Sequence, residues 1–457
     1  MIVFRTATVW AQPSPIALAP VVPVPAVTAP AMPVPQQTSR VPGQKYIEEV
    51  WDELESATFA TPTFKELGTL HEGYSFEELW ELARTANPSI RQKENLITAA
   101  SGGRIQAGLY PNPTLIYSGD NLNVHGEVGK HGLAVSQEIV TAKKKKLDRA
   151  VASYDVAAAR REYSMECLKL QNDLQIAHYE MLHAILVCKV EEFAQQISTD
   201  ILEVATLLQA ERKSQSADVL QFRTMLHTSA LSCKQAKNNR LATWQRLVSI
   251  MGLPDLPYQP VRGSLITHSP PRNWQTTWTQ FQQTSPQLAL AQLKVVQAKT
   301  YLARQEAEQT SNVFATFSLA RDIPAKTTVP FVGVSVPLKI YNKNQGNIIK
   351  ARAEVAAARR EVERVTLSLH QQLAKVFCDY DNAREQIRVY ETSVIPDSFE
   401  ALRQIAEFYC NGKITCLELY TQRQVVVTAL LHYINALKTQ AIATVRIDGM
   451  LLEGILE

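Results

Sequence analysis

The stretch VAAARRE occupies residues 156–162 and returns letter for letter at 355–361, a separation of 355 − 156 = 199 residues in a chain of 457. A heptapeptide in alanine-rich sequence can recur by chance, so the match counts only if its surroundings recur as well. Upstream, an Asn87-Pro88 break precedes a helical run, and Ser285-Pro286 does the same at an offset of 286 − 88 = 198. LAVSQEI (133–139) aligns with VSVPL (334–338), and SQSADVLQ (214–221) with KITCLELY (413–420), both at 199. The halves close on Met251-Gly252 and Asp448-Gly449. Anchors at a nearly constant offset identify an internal duplication. They divide the chain into a Pro-rich leader (1–70), a first repeat (71–253), a Pro-rich linker (254–274) and a second repeat (275–457).

Each copy reads as helix, two short strands, a very long helix, a turn and a returning helix. In the second copy Ile348, Ala351, Val355, Ala358, Val362, Val365 and Leu369 alternate by three and four, and the pattern resumes at Val376, Ala383, Ile387, Tyr390 and Val394. In the first copy Leu174, Ala177, Met181, Ala184 and Cys188 do the same, followed by Val190, Phe193, Ile197, Ile201, Val204 and Leu208. This is the coiled-coil period. Roughly 60 such residues at about 1.5 Å each make a rod of 90–100 Å, longer than a globular domain needs.

Between the helices the period changes to two. Val313, Ala315, Phe317 and Leu319 alternate with Phe314, Thr316 and Ser318, and Val332, Val334, Val336 and Leu338 with Gly333, Ser335 and Pro337. Leu133, Val135 and Ile139 face away from Ser136 and Glu138, and PNPTLIYSG (111–119) supplies a fourth strand. Apolar on one face and small or polar on the other is the lipid-out, lumen-in pattern of a membrane barrel. Four strands cannot close a barrel, and a bilayer tolerates no open sheet edge. A membrane-spanning role therefore requires several protomers to pool their strands. The competing reading is a soluble coiled-coil scaffold in which the strands are minor hairpins.

Composition narrows the choice. Charged residues make up 20% and the formal net charge is +3, so no whole-chain basic footprint points to nucleic acid. No run of 18 apolar residues occurs, which argues against a transmembrane helix but leaves a β-barrel open. Nine of the 23 prolines lie in the first 42 residues, where the sequence reads as a disordered linker or a secretion signal. The six Cys form no CxxC or zinc spacing and read mainly as small buried groups, with a hairpin-tip bridge between Cys410 and Cys416 as the alternative. GxSxG, HExxH and P-loop patterns are missing, so the chain is expected to be no enzyme and to carry no cofactor.

The ordered series of NP break, PNPTL strand, VSVPL strand, VAAARRE helix and GKIT–LEL turn, in two copies, resembles the TolC outer-membrane efflux family over about residues 71–453. PNPTL is similar to the heavy-metal efflux branch. The fold class this implies is mainly α with a small membrane β part: duplicated coiled-coil hairpins plus four strands per chain. Three chains would form a twelve-stranded barrel in outer-membrane lipid, continuing into a periplasmic helical tunnel. The implied function is passive export of small molecules or metal ions. The implied partners are two further copies, a periplasmic adaptor (membrane fusion) protein and an inner-membrane RND-type pump. A protein-secretion channel is the alternative within that frame. Acidic residues ring the tunnel mouth in this family, which assigns the aperture to Glu418, with Asp218 near the matching turn of the first copy. Relatives carry Gly-Gly after each barrel strand, where this chain has TAKKKKL (141–147) and YNKNQGN (341–347).

Two further features stand apart from the resemblance. Lys143, Lys144, Lys145 and Lys146 form a run of four cations where a strand meets a long helix. It reads either as a solvated helix start or as a charged ring at the barrel–tunnel junction that biases ion passage. His125 and His131 share a loop in which they could meet around a metal, whereas His178 and His183, five apart, do not have the i, i+4 spacing that converges on one ion.

Overall fold

In the computed structural model the described residues are 69–120, 129–210, 216–266, 270–323, 325–410 and 413–455. Residues 1–68 of the leader, and with them any secretion signal, lie outside them.

Both repeats begin with a short helix, a proline break and a second helix. The helices are α1 (Phe76–Ala86) and α2 (Pro88–Gly108) in the first, and α5 (Trp274–Thr284) and α6 (Pro286–Ala307) in the second. Proline suits the first position of a helix because its missing N–H would have no partner there. Asn87 and Ser285 cap the helices that follow, their side chains accepting from the Ser89 and Leu288 N–H groups. Asn87 is fully buried and also donates through Nδ2 to the Ile250 carbonyl (2.8 Å), so the break is tied to the far end of its own repeat. Gly252 lies against that break at φ 77°, where an added Cβ would sit 3.2 Å from the Ala86 oxygen and the Asn87 Cα. Only glycine meets both demands comfortably.

Strands β2 (Thr114–Asp120), β3 (Lys130–Ile139), β5 (Val313–Asp322) and β6 (Thr327–Ser335) form one antiparallel sheet in the order β2-β3-β5-β6. Two-residue strands β1 (Thr69–Leu70) and β4 (Gly263–Ser264) pair separately. The fourth strand of the large sheet begins earlier than the alternation suggested and ends at Ser335, short of Pro337, which has no N–H to add to a ladder.

The rods are α3 (Lys144–Ala210) and α4 (Ser216–Met251) in the first repeat, and α7 (Gln345–Val389), α8 (Ile395–Cys410) and α9 (Cys416–Asp448) in the second. Sixty-seven residues of α3 span about 100 Å. The second rod is not continuous. Between α7 and α8, Tyr390–Val394 form a π-helical turn in which the Ile395 N–H reaches the Tyr390 carbonyl. Heptad positions Leu174, Ala177, Met181, Ala184 and Cys188 of α3, and Ile348, Ala351, Val355, Leu369, Val376 and Ala383 of α7, are all buried. A main core joins α1, α3, α4, α8 and α9, and a second unites Phe281 of α5 with Leu373, Phe377 and Tyr380 of α7 and Ile447 of α9. By length and composition α9 could cross a membrane, but half of its most apolar stretch is buried inside the chain.

Helices α2, α3, α6 and α7 pack side by side in that order. The order is that of the strands they run into, so the sheet continues directly into a four-helix wall.

Candidate functional site: a sheet continued by a helical wall

Register assigns every strand residue to a face. On one face Leu115, Val135, Phe317 and Val332 form a row, and Tyr117, Leu133, Leu319 and Pro330 the next. On the other face the rows are Thr114, Ser136, Thr316 and Gly333, then Ile116, Ala134, Ser318 and Phe331, then Ser118, Gly132, Ala320 and Val329, mainly small or polar. No described residue covers the apolar face: Val332 is 74% exposed and Leu115 is 70% exposed. A row of four large apolar side chains left open across a whole sheet is far from what a water-soluble surface carries. The strand tips are polar. Lys130 pairs with Asp322 (3.5 Å), and the Tyr117 hydroxyl meets His131 Nδ1 at 2.5 Å. His125, the other half of the loop metal reading, lies outside the described residues.

Where the sheet meets the wall, the four lysines separate. Lys144 is 1% exposed and its ammonium donates to Asn312 Oδ1 (2.7 Å) and Glu308 (3.3 Å). Glu308 also receives Arg304 (2.7 Å) and Lys339 (3.3 Å), and Arg304 reaches across to Asp148 of α3 (2.5 Å). Burial would raise the Glu308 carboxyl, but the bonds from Arg304, Lys144 and Lys339 hold it below the usual carboxylate range. Asn312 passes the network on to Glu138 (2.6 Å), which projects from the small, polar face of β3. The cluster therefore lies on the same side of the wall as the small, polar face of the sheet. Lys144 clamps β3–α3 to α6 there, while Lys143 and Lys146 are exposed and Lys145 is half-buried. Ala142 and Lys143 adopt φ 54° and 55°, and Asn344 at the matching junction 62°. Glycine would be relaxed at such angles, so each of these side chains is held in a left-handed conformation at some cost.

At the opposite end of the rods, Glu418 is exposed in the first turn of α9 and closes a capping box. The Thr415 N–H donates to its Oε2 (2.8 Å) and its own N–H donates to Thr415 Oγ1 (3.4 Å). The carboxylate thus sits at the positive end of a helix dipole with Oε1 left facing water. Asp218 lies in the first turn of α4, half-buried. The side chains of Cys410 and Cys416 lie outside the described residues, so the hairpin-tip bridge stays an expectation. Cys167, Cys188, Cys233 and Cys378 are free thiols, and only Cys188 and Cys233 are buried.

Three groups on the rods escaped the sequence. Arg423 of α9, 2% exposed, donates through Nη2 to the Ala194 carbonyl of α3 and lies over the Tyr420 ring. The buried Tyr433 hydroxyl donates to Glu391 in the π turn (2.8 Å), and burial pushes its pKa up. His183 of α3 is brought down to about 4, first by burial and then by Lys438 of α9. Helical periodicity marks all three positions as facing a neighbour, but not which polar partner waits there.

A family model described as "Outer membrane efflux protein" matches residues 280–451. The cobalt-zinc-cadmium resistance protein CzcC of Cupriavidus metallidurans is 19% identical over 381 residues, covering 82% of this chain and 90% of CzcC. Among solved structures, the outer-membrane channel OprN superposes with a TM-score of 0.71 at 17% identity, over 83% of this chain and 90% of its own. The outer membrane protein VceC of Vibrio cholerae gives 0.67 at 15% identity, over 82% and 94%. These structures share the fold of sheet, wall and rods described above.

Proposed function

We propose that the chain is an outer-membrane channel of a tripartite efflux system, a reading supported by the family model over residues 280–451, and that three copies close their sheets into one twelve-stranded barrel, carrying small molecules or metal ions outward from the periplasm. The observation that carries this reading is the sheet itself. Among the described residues one face is apolar and uncovered, the other is mainly small or polar, and strands β2 and β6 both end the sheet with an open edge. Closure by copies of the same sheet satisfies both edges at once and turns the apolar face to lipid. The helical wall, continuing strand by helix, then becomes a tunnel extending into the periplasm.

In this reading the protein does no chemistry. A periplasmic adaptor and an inner-membrane pump of the RND type deliver the cargo. Glu418 from each chain, with Asp218 on the neighbouring hairpin, gives the tunnel mouth a ring of negative charge that attracts cations. The capping box supports the assignment by fixing the Glu418 backbone while leaving one oxygen exposed. Likeness to the cobalt-zinc-cadmium resistance protein favours divalent metal ions within the proposed cargo class. The uncovered apolar face speaks against the soluble scaffold.

Cell fractionation tests the proposal. The expected result is a protein recovered from outer membranes only with detergent, migrating as a trimer in SDS until boiled. A monomer in the soluble fraction overturns it.

A further inference from the structure

The junction has an outer side as well as an inner one, and its chemistry differs. Lys144 and Asp148, one turn apart on α3, both join the lumen-side cluster around Glu308 and Arg304. Lys146 is two residues from each, and 100° per residue places it on the opposite side of the helix, away from the lumen. Arg149, three residues on, stays within 60° of Lys146 and runs beside Gly108 of α2, where an added Cβ would meet its Cδ at 3.6 Å. Both cations are exposed, and neither forms an ion pair with a described residue. Lys143, in the turn before them, is exposed too.

The adjoining chain supplies apolar groups at the same level. Lys339 turns inward to Glu308, at the centre of a tight turn in which the Ile340 N–H donates to the Leu338 carbonyl. Leu338 and Ile340 flank it and are largely exposed. Tyr341 follows at 91% exposure, with Lys343 exposed just beyond. Lys146 is seven residues beyond Ile139, the last residue of β3. At most about 20 Å therefore separates it from the lower rim of the apolar sheet face.

A collar with an aromatic ring and aliphatic side chains above and unpaired cations below matches one partner, a membrane–water interface bearing negative charge. The collar sits where barrel becomes tunnel, on α2, α3 and the segment after β6. We propose that Lys146 and Arg149, with Lys143 and the exposed Leu338, Ile340 and Tyr341, bind the phosphate head groups of anionic phospholipids in the periplasmic leaflet. The site rests on the outer-membrane channel reading and adds a lipid preference to it. It also separates the functions of the lysine run: Lys144 is a clamp facing the lumen, and Lys146 is a lipid contact on the outside.

The same face carries an internal control. Arg160 and Arg161 are exposed on the α3 stripe that contains Lys146, but 14 and 15 residues further along. That distance, about 21 Å, exceeds the ~8 Å screening length of physiological salt, so their charge should not reach the head groups.

The test reconstitutes the full chain into phosphatidylcholine vesicles doped with phosphatidylglycerol. The protein is then re-extracted in mild detergent, and the ratio of the two retained lipids is measured. Wild type should retain phosphatidylglycerol above its bulk share, with the enrichment shrinking as salt rises. Lys146→Glu with Arg149→Glu should lower the enrichment about 25-fold, at roughly fivefold per cation. Arg160→Glu with Arg161→Glu should leave it unchanged. The neutral pair Lys146→Gln and Arg149→Gln, checked for the SDS-resistant trimer, replaces the Glu pair if that variant does not assemble. Equal lipid ratios for wild type and the collar variants overturn the inference. A wild-type protein that does not float with either vesicle overturns the outer-membrane reading instead.

Discussion

His183 makes the packing of the tunnel rods sensitive to acid. It lies between α3 and α9, where burial and then the charge of Lys438 bring its pKa from 6.5 down to about 4. Lys438 is itself pushed down by burial, so the interface already resists one cation. Above pH 6.5 His183 is neutral folded or unfolded and has no effect on stability. Between 6.5 and 4 the unfolded chain takes up a proton that the folded chain refuses, so stability falls with falling pH. Below about 4 both states are protonated and the loss is complete. The full loss is (6.5 − 4) multiplied by 1.36, about 3 kcal/mol per chain. Buried His178 works in the same direction, and Asp173, pushed up by burial, in the opposite one. His183→Gln removes only the first contribution. Urea unfolding of the detergent-solubilised protein, followed by circular dichroism from pH 7.5 to 4, should show wild type losing about 3 kcal/mol relative to His183→Gln. The difference should open below pH 6.5 and level off near 4. Parallel pH curves would refute the argument and return His183 to a neutral packing role.

The two faces of the sheet make opposite predictions for the same new charge. Leu133→Lys places an ammonium on the lipid side and should cost about 2–4 kcal/mol of barrel stability, read as loss of the SDS-resistant trimer. Thr316→Lys, on the lumen side, should assemble normally and shift single-channel selectivity toward anions. Glu418→Gln keeps a capping-box side chain while removing its charge. Melting temperature should therefore hold while cation block in planar bilayers weakens, and an unchanged block would remove the aperture role. Ala142→Gly relieves a left-handed residue and should stabilise the junction by about 1 kcal/mol in a melting assay.

How much of this was legible in the sequence depended on periodicity. Long helices and strands repeat a physical rule many times, so VAAARRE, the heptad positions and the alternating Val and Phe residues located rods and sheet before any coordinates. Features set by a single long-range contact were invisible. A run of four lysines reads as solvated, and only the approach of Glu308 and Asn312, more than 160 residues away, buries Lys144. Arg423 sits in a helix whose charged positions usually face water, and its partner is a backbone carbonyl that no sequence pattern advertises. The Glu418 capping box was readable as Thr-x-x-Glu, because that interaction is local. The π turn was not, since the apolar spacing around Tyr390 runs on as if the helix were regular.

That turn has a consequence for the mechanics of the tube. The duplication supplies two equivalent rods per chain, which would give three chains a ring of six equal staves. Tyr390–Val394 interrupts the α-helical pitch of one stave of each pair and leaves α3 an uninterrupted α-helix. Below the break the assembly is threefold rather than sixfold, alternating stiff struts with jointed ones. Each joint is pinned by the bond between Tyr433 and Glu391, and each jointed strut leads through α8 into the helix that begins beside Glu418. A tube built this way has three levers at its mouth, held within a cage of three posts.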